Sequence, residues 1–555
     1  MGTPNITINQ LTLWAVLLGG LLLAAVLGSA VGSSDIRFIA VMLALIPVAL
    51  VLINLKTHIW VLIPLGWYVG GRLPFLPIPF TVRDMCMLMA AFAFTLFFAL
   101  RVVPWKRKLG TLDYLIFINL GYLVTVYFRN PVGAWAFQSQ MVGGRPYFDI
   151  LMAFGAFVIL SRATLTPFIA RIFPWFYLVP SIILAGLEML ARLAPTVAQP
   201  ISYLYSGVAG QGPLASVVSE EAQLGETRFT AMKEVGVIGM LALCARHSPV
   251  KLISPLHPML FSLMAACFVA IFLSGFRSAF LFVMATLFLS AVLRNRLRDI
   301  WIGMGAVALG IILLISVQGT VLELPKTVQR TLSWLPGDWS EEAKVDAQGS
   351  SDWRYQMVVW AWNDSRIIKD KIWGQGFGIS IEDMNIIASA LLSGQQGGMF
   401  IGGSDRENFM LTGSFHNGPV SAIRYVGAVG FALFLPLMFY VALAAWRLCR
   451  RASGTPLFPF ALFIGIPMIY EPFNYIFVFG GFDGALAQAL YWAGLLNMAN
   501  NYLDRVDARS IKTVSSPQVA SSVPPVPQMA RSGINAGFAG TGPASRGAHH
   551  PAKPR

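Results

Sequence analysis

Apolar runs long enough to cross a bilayer as helices recur along the chain from Leu11 to Leu496, separated by short polar and basic stretches. They predict helices near residues 11–31, 38–55, 58–70, 84–103, 112–128, 148–160, 174–193, 234–246, 258–275, 278–293, 300–317, 419–446, 456–478 and 483–499. The third and eighth are short for a full crossing. The third reads equally as a re-entrant segment or as a continuation of the second, so the pattern predicts about 12–14 transmembrane helices. The short alternating strands of a membrane barrel do not occur. The expected fold class is an all-α polytopic membrane protein.

Composition agrees: 56% of residues are hydrophobic, 12% are charged and the mean hydropathy is +0.66, a chain that lipid must solvate. The formal charge of +14 raises the question of a nucleic-acid partner. Its positions answer that question, because the basic residues sit in short clusters between apolar runs: Lys106, Arg107 and Lys108; Arg162 and Arg171; Arg246 and Lys251; Arg294, Arg296 and Arg298; Arg447, Arg450 and Arg451. This is the pattern of cytoplasmic loops, and no nucleic acid is expected. With the full set of spans these clusters fall on one face, both termini are cytoplasmic, and the longest polar stretch, 318–415, lies outside. The leading run, Leu11 to Val31, reads as a retained span rather than a cleaved signal. Cys86, Cys244, Cys267 and Cys449 show no metal-ligand or disulfide spacing. Neither metal nor cofactor is expected. The chain divides into N-terminal spans at 1–317, a large, partly helical outer loop at 318–415, C-terminal spans at 416–500 and a disordered cytoplasmic tail at 510–555, poor in large apolar residues.

Candidate chemistry concentrates on the outer side. In "LSGFRSAFLF" the run 258–293 is too long for one crossing and splits at Arg277 into a hairpin with two basic feet, so Arg277 marks an outward tip. A snorkelling arginine at the headgroups is the plain reading. Arg72, Arg129, Arg145, Arg228 and Arg354 also fall in or beside predicted outer loops. A planar, permanently charged guanidinium suits a phosphate or diphosphate. His416 and Asn417 stand where the outer loop re-enters the membrane, and an imidazole there can take a proton from a hydroxyl near neutral pH. Arg424, about 12 Å further along that helix, is either an intramembrane functional charge or the partner of Glu471. Residues from about Asp352 predict an amphipathic helix, with Met357, Val358, Trp360 and Ala361 turned to the bundle. Gly374, Gly376 and Gly378 then read as a turn rather than a nucleotide loop.

The order of "SGFRS" between two spans, a basic hairpin foot, a long outer loop with "R…W…GxGxG", and "HN" at the next span resembles the bacterial O-antigen ligase and O-antigen polymerase superfamily. These are membrane glycosyltransferases that act on undecaprenyl-diphosphate-linked sugars. The resemblance covers about 228–430. The family's SGSRG-like motif falls on Ser274 to Ser278, with Phe276 and Ser278 departing from the commonest pattern. Its loop arginine falls on Arg354, its histidine on His416, and the arginine ahead of a span on Arg228, where the usual Asn-Pro is missing. The resemblance implies a GT-C-like bundle and a metal-independent, inverting sugar transfer at the periplasmic face of the inner membrane, as a polymerase, ligase or protein-directed transferase. Arg277 and Arg354 would bind the diphosphate, His416 would act as base and Asn417 would orient it or the acceptor, with Arg228, Arg145, Arg129 and Arg424 as further substrate-binding residues. The implied partners are an undecaprenyl-diphosphate-linked glycan donor, a glycan or lipid-linked acceptor and membrane lipids; other polysaccharide-assembly proteins are admissible. A transporter or flippase for lipid-linked oligosaccharide is the alternative class, though no internal repeat supports it.

Overall fold

The apolar runs fold as helices whose ends are set by small polar side chains. The Thr81 amide donates to the Asp84 carboxylate at 2.7 Å and the Asp84 amide to the Thr81 hydroxyl at 3.2 Å, a reciprocal cap that satisfies two orphan donors. The Gly110 amide donates to Asp113 at 2.7 Å in the same way. The computed structural model describes residues 56–71, 80–99, 109–133, 141–194, 196–197, 201, 205, 229–319, 323–381, 413, 415 and 417–515. The predicted runs at 11–31 and 38–55 lie outside them.

In chain order the helices are α1 (Leu62–Trp67), α2 (Val82–Ala99), α3 (Thr111–Arg129), α4 (Arg145–Leu160), α5 (Pro167–Ile172), α6 (Trp175–Leu193), α7 (Thr230–Arg246) and α8 (Pro249–Ile253). They continue as α9 (Pro258–Ser274), α10 (Arg277–Leu293), α11 (Leu297–Val317), α12 (Lys326–Leu332), α13 (Glu341–Asn363), α14 (Gly418–Ala452), α15 (Phe458–Phe473) and α16 (Phe482–Ser515). A 3-10 turn, Lys56–Val61, leads into α1, and a π-helical turn, Asn474–Val478, prolongs α15. Among the described residues the only sheet pairs β1 (Met141–Val142) with β2 (Ile379–Ser380), antiparallel, Met141 opposite Ser380. By its contacts the chain divides into residues 1–504 and 505–555. The described part of the second unit, 505–515, is helical.

Among the described residues, five helical segments are long and apolar enough to cross a membrane: Thr111–Arg129, Pro167–Ala191, Arg298–Val317, Gly418–Ala452 and Phe458–Val478. Arg298–Val317 is the most telling, with a mean hydropathy of 2.5 and only 6% of its apolar window buried against the rest of the chain. Trp301, Met304, Leu309 and Ile312 all point outward from it. A helix apolar on all sides needs a surrounding other than water.

At the centre α14 packs on α15 and α3, and their buried side chains join those of α4 and α16 in one core that includes Phe434, Phe460, Tyr475 and Tyr491. Small residues set the spacing: a Cβ at Gly465 would come within 2.5 Å of Cys449 Sγ, and one at Gly236 within 2.6 Å of Ile271 Cγ1. Close backbone approach of this kind is how apolar helices gain packing where no hydrophobic drive separates them from lipid. A second core, around Met240, Leu252, Ile271 and Val283, joins α7 to α10.

Among the described residues, members of the four later basic clusters gather at one end. Arg246 donates to the Arg171 carbonyl at 2.6 Å, Arg294 to the Ala245 carbonyl at 2.7 Å, Arg450 to Asn295, and Arg294 lies over Phe458. From that end α9 runs outward to a left-handed Gly275 (φ 71°) and α10 returns. The tip is therefore about 25 Å away, the length of a 17-residue helix.

Several expectations need correction. The run 58–70, expected to be short for a full crossing, is a 3-10 turn followed by the six-residue α1 rather than one helix. Helix α13 starts at Glu341 rather than about Asp352, because the Ser340 hydroxyl accepts from the Ala343 amide (3.4 Å) and Glu341 and Glu342 fill its first turn. Met357 and Ala361 are buried as expected, but Trp360 is 41% exposed. Helix α16 continues to Ser515, past the expected start of a disordered tail, where Asp504, Arg505 and Asp507 give it a charged, solvated face. Residues 516–555 lie outside the described ones.

Candidate functional site

The end opposite the basic clusters is organised around an interruption of α14. Gly427 has φ 70° and ψ 177°, which ends the first helical segment and turns the chain before the second. In an unbroken helix the Ala428 and Val429 amides would donate to the carbonyls of Arg424 and Tyr425. Here a strap of residues 371–376 takes both sides of that exchange. Gln375 and Gly376 amides donate to the Arg424 and Tyr425 carbonyls at 3.0 and 2.9 Å, while the Ala428 and Val429 amides donate to the Lys371 and Ile372 carbonyls at 2.8 and 3.2 Å. The Tyr122 hydroxyl, from α3, lies 3.0 Å from the Val426 carbonyl and 3.1 Å from that of Trp373. Groups that would cost several kcal/mol each if left bare in an apolar setting are thus paired.

The glycines allow this approach. A Cβ on Gly374 (φ 80°) would lie 2.4 Å from Gly427 N, and one on Gly427 only 2.1 Å from the Ile372 carbonyl oxygen. The predicted turn at Gly374, Gly376 and Gly378 is present, with φ of 80°, 75° and 125°, and serves as the strap. Its entry is shaped by Asp370 Oδ1, which accepts from the Ile372 and Trp373 amides at 2.9 Å. Upstream, Asp364 accepts from Arg366, whose fork holds the Asp364 carboxyl below the usual carboxylate range.

The first segment of α14 is wrapped on its other sides too. Its N-cap is Asn417, whose Oδ1 accepts from the Val420 amide at 3.1 Å. The Tyr475 hydroxyl donates to the Gly418 carbonyl at 2.8 Å, and the Phe482 amide to Ser421 Oγ at 3.0 Å. Arg424 is only 4% exposed, with its guanidinium over the rings of Phe415 and Tyr425 and directly against Gly413. It therefore lies against Gly413 and Phe415. Glu471, the alternative partner for Arg424, accepts from Asn474 at 3.2 Å.

Beside Asn417 a cavity of about 260 Å³ opens between α13 and the π-helical turn. Tyr355 and Val358 form one wall, and Tyr475, Ile476, Phe477, Val478 and Phe479 the other. It is a small cleft lined mainly by apolar side chains, with Asn417 among its few polar residues. Met357, Ala361, Ile367 and Ile368 pack against Phe415 and Val420, which fixes α13 over the start of α14.

The predicted site residues distribute unevenly about this cleft. Asn417 lines it, and Arg354 belongs to α13, one helical turn before Val358. Arg277 opens α10 at the hairpin tip, where Gly275 abuts Thr327 of α12; it belongs to the same end but does not line the cleft. Arg145 pairs with Asp84, which is fully buried, and with Asp149 at 3.0 Å. Arg129 donates to the Trp373 carbonyl at 3.1 Å and stacks on Trp373 and Tyr122, so it grips the strap. His416 and Arg228 lie outside the described residues, and of Arg354 only the helical backbone is described. Tyr122 and Gly427 were not singled out from sequence. A tyrosine in an apolar run and the first glycine in "YVGAVGF" are the only traces they leave.

Comparison with protein-family models finds no match, and a search among curated proteins finds none either.

Proposed function

We propose that the chain is a membrane glycosyltransferase that transfers or polymerises undecaprenyl-diphosphate-linked oligosaccharide at the periplasmic face of the bacterial inner membrane, as an O-antigen or exopolysaccharide polymerase or ligase. The observation that carries this reading is the apolar cleft bounded by Asn417 and by the helix of Arg354, at the end away from the basic clusters. Its walls suit a polyprenyl chain and its polar edge a diphosphate-linked sugar.

In this reading a sugar hydroxyl of the acceptor attacks the anomeric carbon of the donor. The bond from that carbon to the diphosphate oxygen breaks, and the hydroxyl proton passes to His416. Arg277 and Arg354 stabilise the charge that builds on the departing diphosphate. Asn417 spends its Oδ1 on the helix cap, which leaves Nδ2 to orient the acceptor or the imidazole. Arg424 lends positive potential from below. Arg145 and Arg129, given their carboxylate and strap contacts, serve as framework. The reading includes about 12–14 spans in a GT-C-like bundle, inversion at the anomeric carbon and no need for a metal.

The broken helix would favour a transporter if its free ends faced a cavity, as in discontinuous transport helices. Here the ends are consumed by the strap, which leaves the glycosyltransferase reading ahead. The test is transfer by purified protein supplied with an undecaprenyl-diphosphate glycan and its acceptor. Arg277→Ala and His416→Ala are expected to lower the rate at least ~100-fold, with yield and unfolding temperature unchanged, and EDTA is expected to leave the wild type active. Unchanged transfer in both variants would sink the assignment.

A further inference from the structure

The basic end is more than a topological signal. His247, at the end of α7, lies within electrostatic reach of Arg294, Lys251, Arg246 and His257, and burial together with those cations holds its imidazole below the usual histidine range. Among the described residues, no carboxylate acts on it. Asp299, 4% exposed, acts on Arg294, and Arg296 opposes it there. Arg294 is committed to the carbonyls of Cys244 and Ala245, the last turn of α7. Lys251 and His257 are exposed. Next to His247, Ser248 is only 6% exposed, and its hydroxyl makes no hydrogen bond among the described residues.

The same surface carries an apolar rim. Leu256 is 88% exposed and Met259 75%, and these flank His257 on either side. Helix α8 packs on α11, where Ile253 Cδ1 is 3.9 Å from the Cβ position of Gly303. Cations, an unpaired buried hydroxyl and an apolar rim thus share one edge of a bundle whose α11 already faces an apolar surrounding.

We propose that this edge, where α7, α8 and α9 meet, binds the headgroup of an acidic phospholipid. The phosphate sits among Lys251, His257, His247 and Arg246, Ser248 donates to it, and the acyl chains lie along Leu256 and Met259. A free anion would use the cations but leave the rim bare. The proposal needs only that the chain sits in a membrane and is independent of any transfer activity.

Native mass spectrometry of the full chain in detergent provides the test, with phosphatidylglycerol and phosphatidylcholine of the same acyl composition as probes. Phosphatidylglycerol is expected to bind at least ~10-fold more tightly, and Lys251→Gln combined with His257→Gln to weaken it by ~5-fold or more, the worth of about one surface cation. Lys344→Gln, in α13 at the other end, is expected to leave binding unchanged. Equal binding of the two lipids would overturn the proposal. So would an equal loss with Lys344→Gln, which would reduce the effect to net charge, or displacement of the lipid by millimolar inorganic phosphate, which would make this a free-anion site.

Discussion

Tyr122 carries a single hydroxyl between two carbonyls, one from the strap and one from the interrupted helix, at 3.1 and 3.0 Å. Removing it leaves the Val426 carbonyl without this donor in a buried position. That loss is worth about 1–2 kcal/mol, more than an ordinary exposed hydrogen bond. Tyr122→Phe is therefore expected to lower the thermal unfolding midpoint in detergent by a few degrees, whereas Tyr114→Phe, on an exposed part of the same helix, should not. Equal midpoints for the two variants would show that the hydroxyl joins nothing. At this scale the sequence is legible where a residue's type is unusual for its setting: Arg277 and Arg424 stand out because a charge in an apolar run has few readings, whereas the cap role of Asn417 appears only in the structure. Tyr122 is opaque because its acceptors exist only once Gly427 has broken a helix three hundred residues away. Arg145 is legible as an outer cation, but not as one tied to Asp84, whose partner depends on how α2 meets α4.

At the scale of elements, hydrophobic periodicity locates most helices and misjudges those that polar chemistry lengthens or interrupts. The α9–α10 hairpin follows from run length and from Gly275, which accepts the left-handed turn. Helix α13 begins early because Ser340 caps it, against the appearance of Gly349, Ser350 and Ser351 as breakers. The break in α14 escapes the pattern because both sides of it are apolar, and what makes it affordable is a strap that no local signal connects to it. Gly427→Ala puts a Cβ 2.1 Å from the Ile372 carbonyl oxygen and forces an alanine to φ 70°, so strap and helix cannot both stay in place. The strap is expected to lift while the spans persist. Limited trypsin digestion should then cut after Lys369 or Lys371 at least ~100-fold faster than in the wild type, with helical circular dichroism unchanged, since a lost packing of roughly 3 kcal/mol or more sets the opening equilibrium. Cleavage at the wild-type rate would mean that the strap is held by something other than the break.

At the scale of the whole molecule, the convergence of Arg171, Arg246, Arg294 and Arg450 on one end turns a statistical rule about loops into a geometric property of one body. Those residues come from four separate helices or their ends, and charge of one sign collects there only if that end shares a common environment. The strap, α12 and the cleft lie at the opposite ends of the same helices, about 25 Å away. In the proposed reading the bilayer lies between Lys251 and Trp334, with the positively charged Lys251 side facing the cytoplasm. Single added cysteines test this directly, because the four native ones are buried or half-buried, whereas Trp334 is 61% exposed and Lys251 is exposed. In intact cells whose outer membrane has been opened, a membrane-impermeant maleimide is expected to label Trp334→Cys and spare Lys251→Cys, and in inverted vesicles the preference is expected to reverse. Labelling of both from one side would remove the membrane from between them, and with it the outward-facing cleft on which the sugar-transfer reading depends.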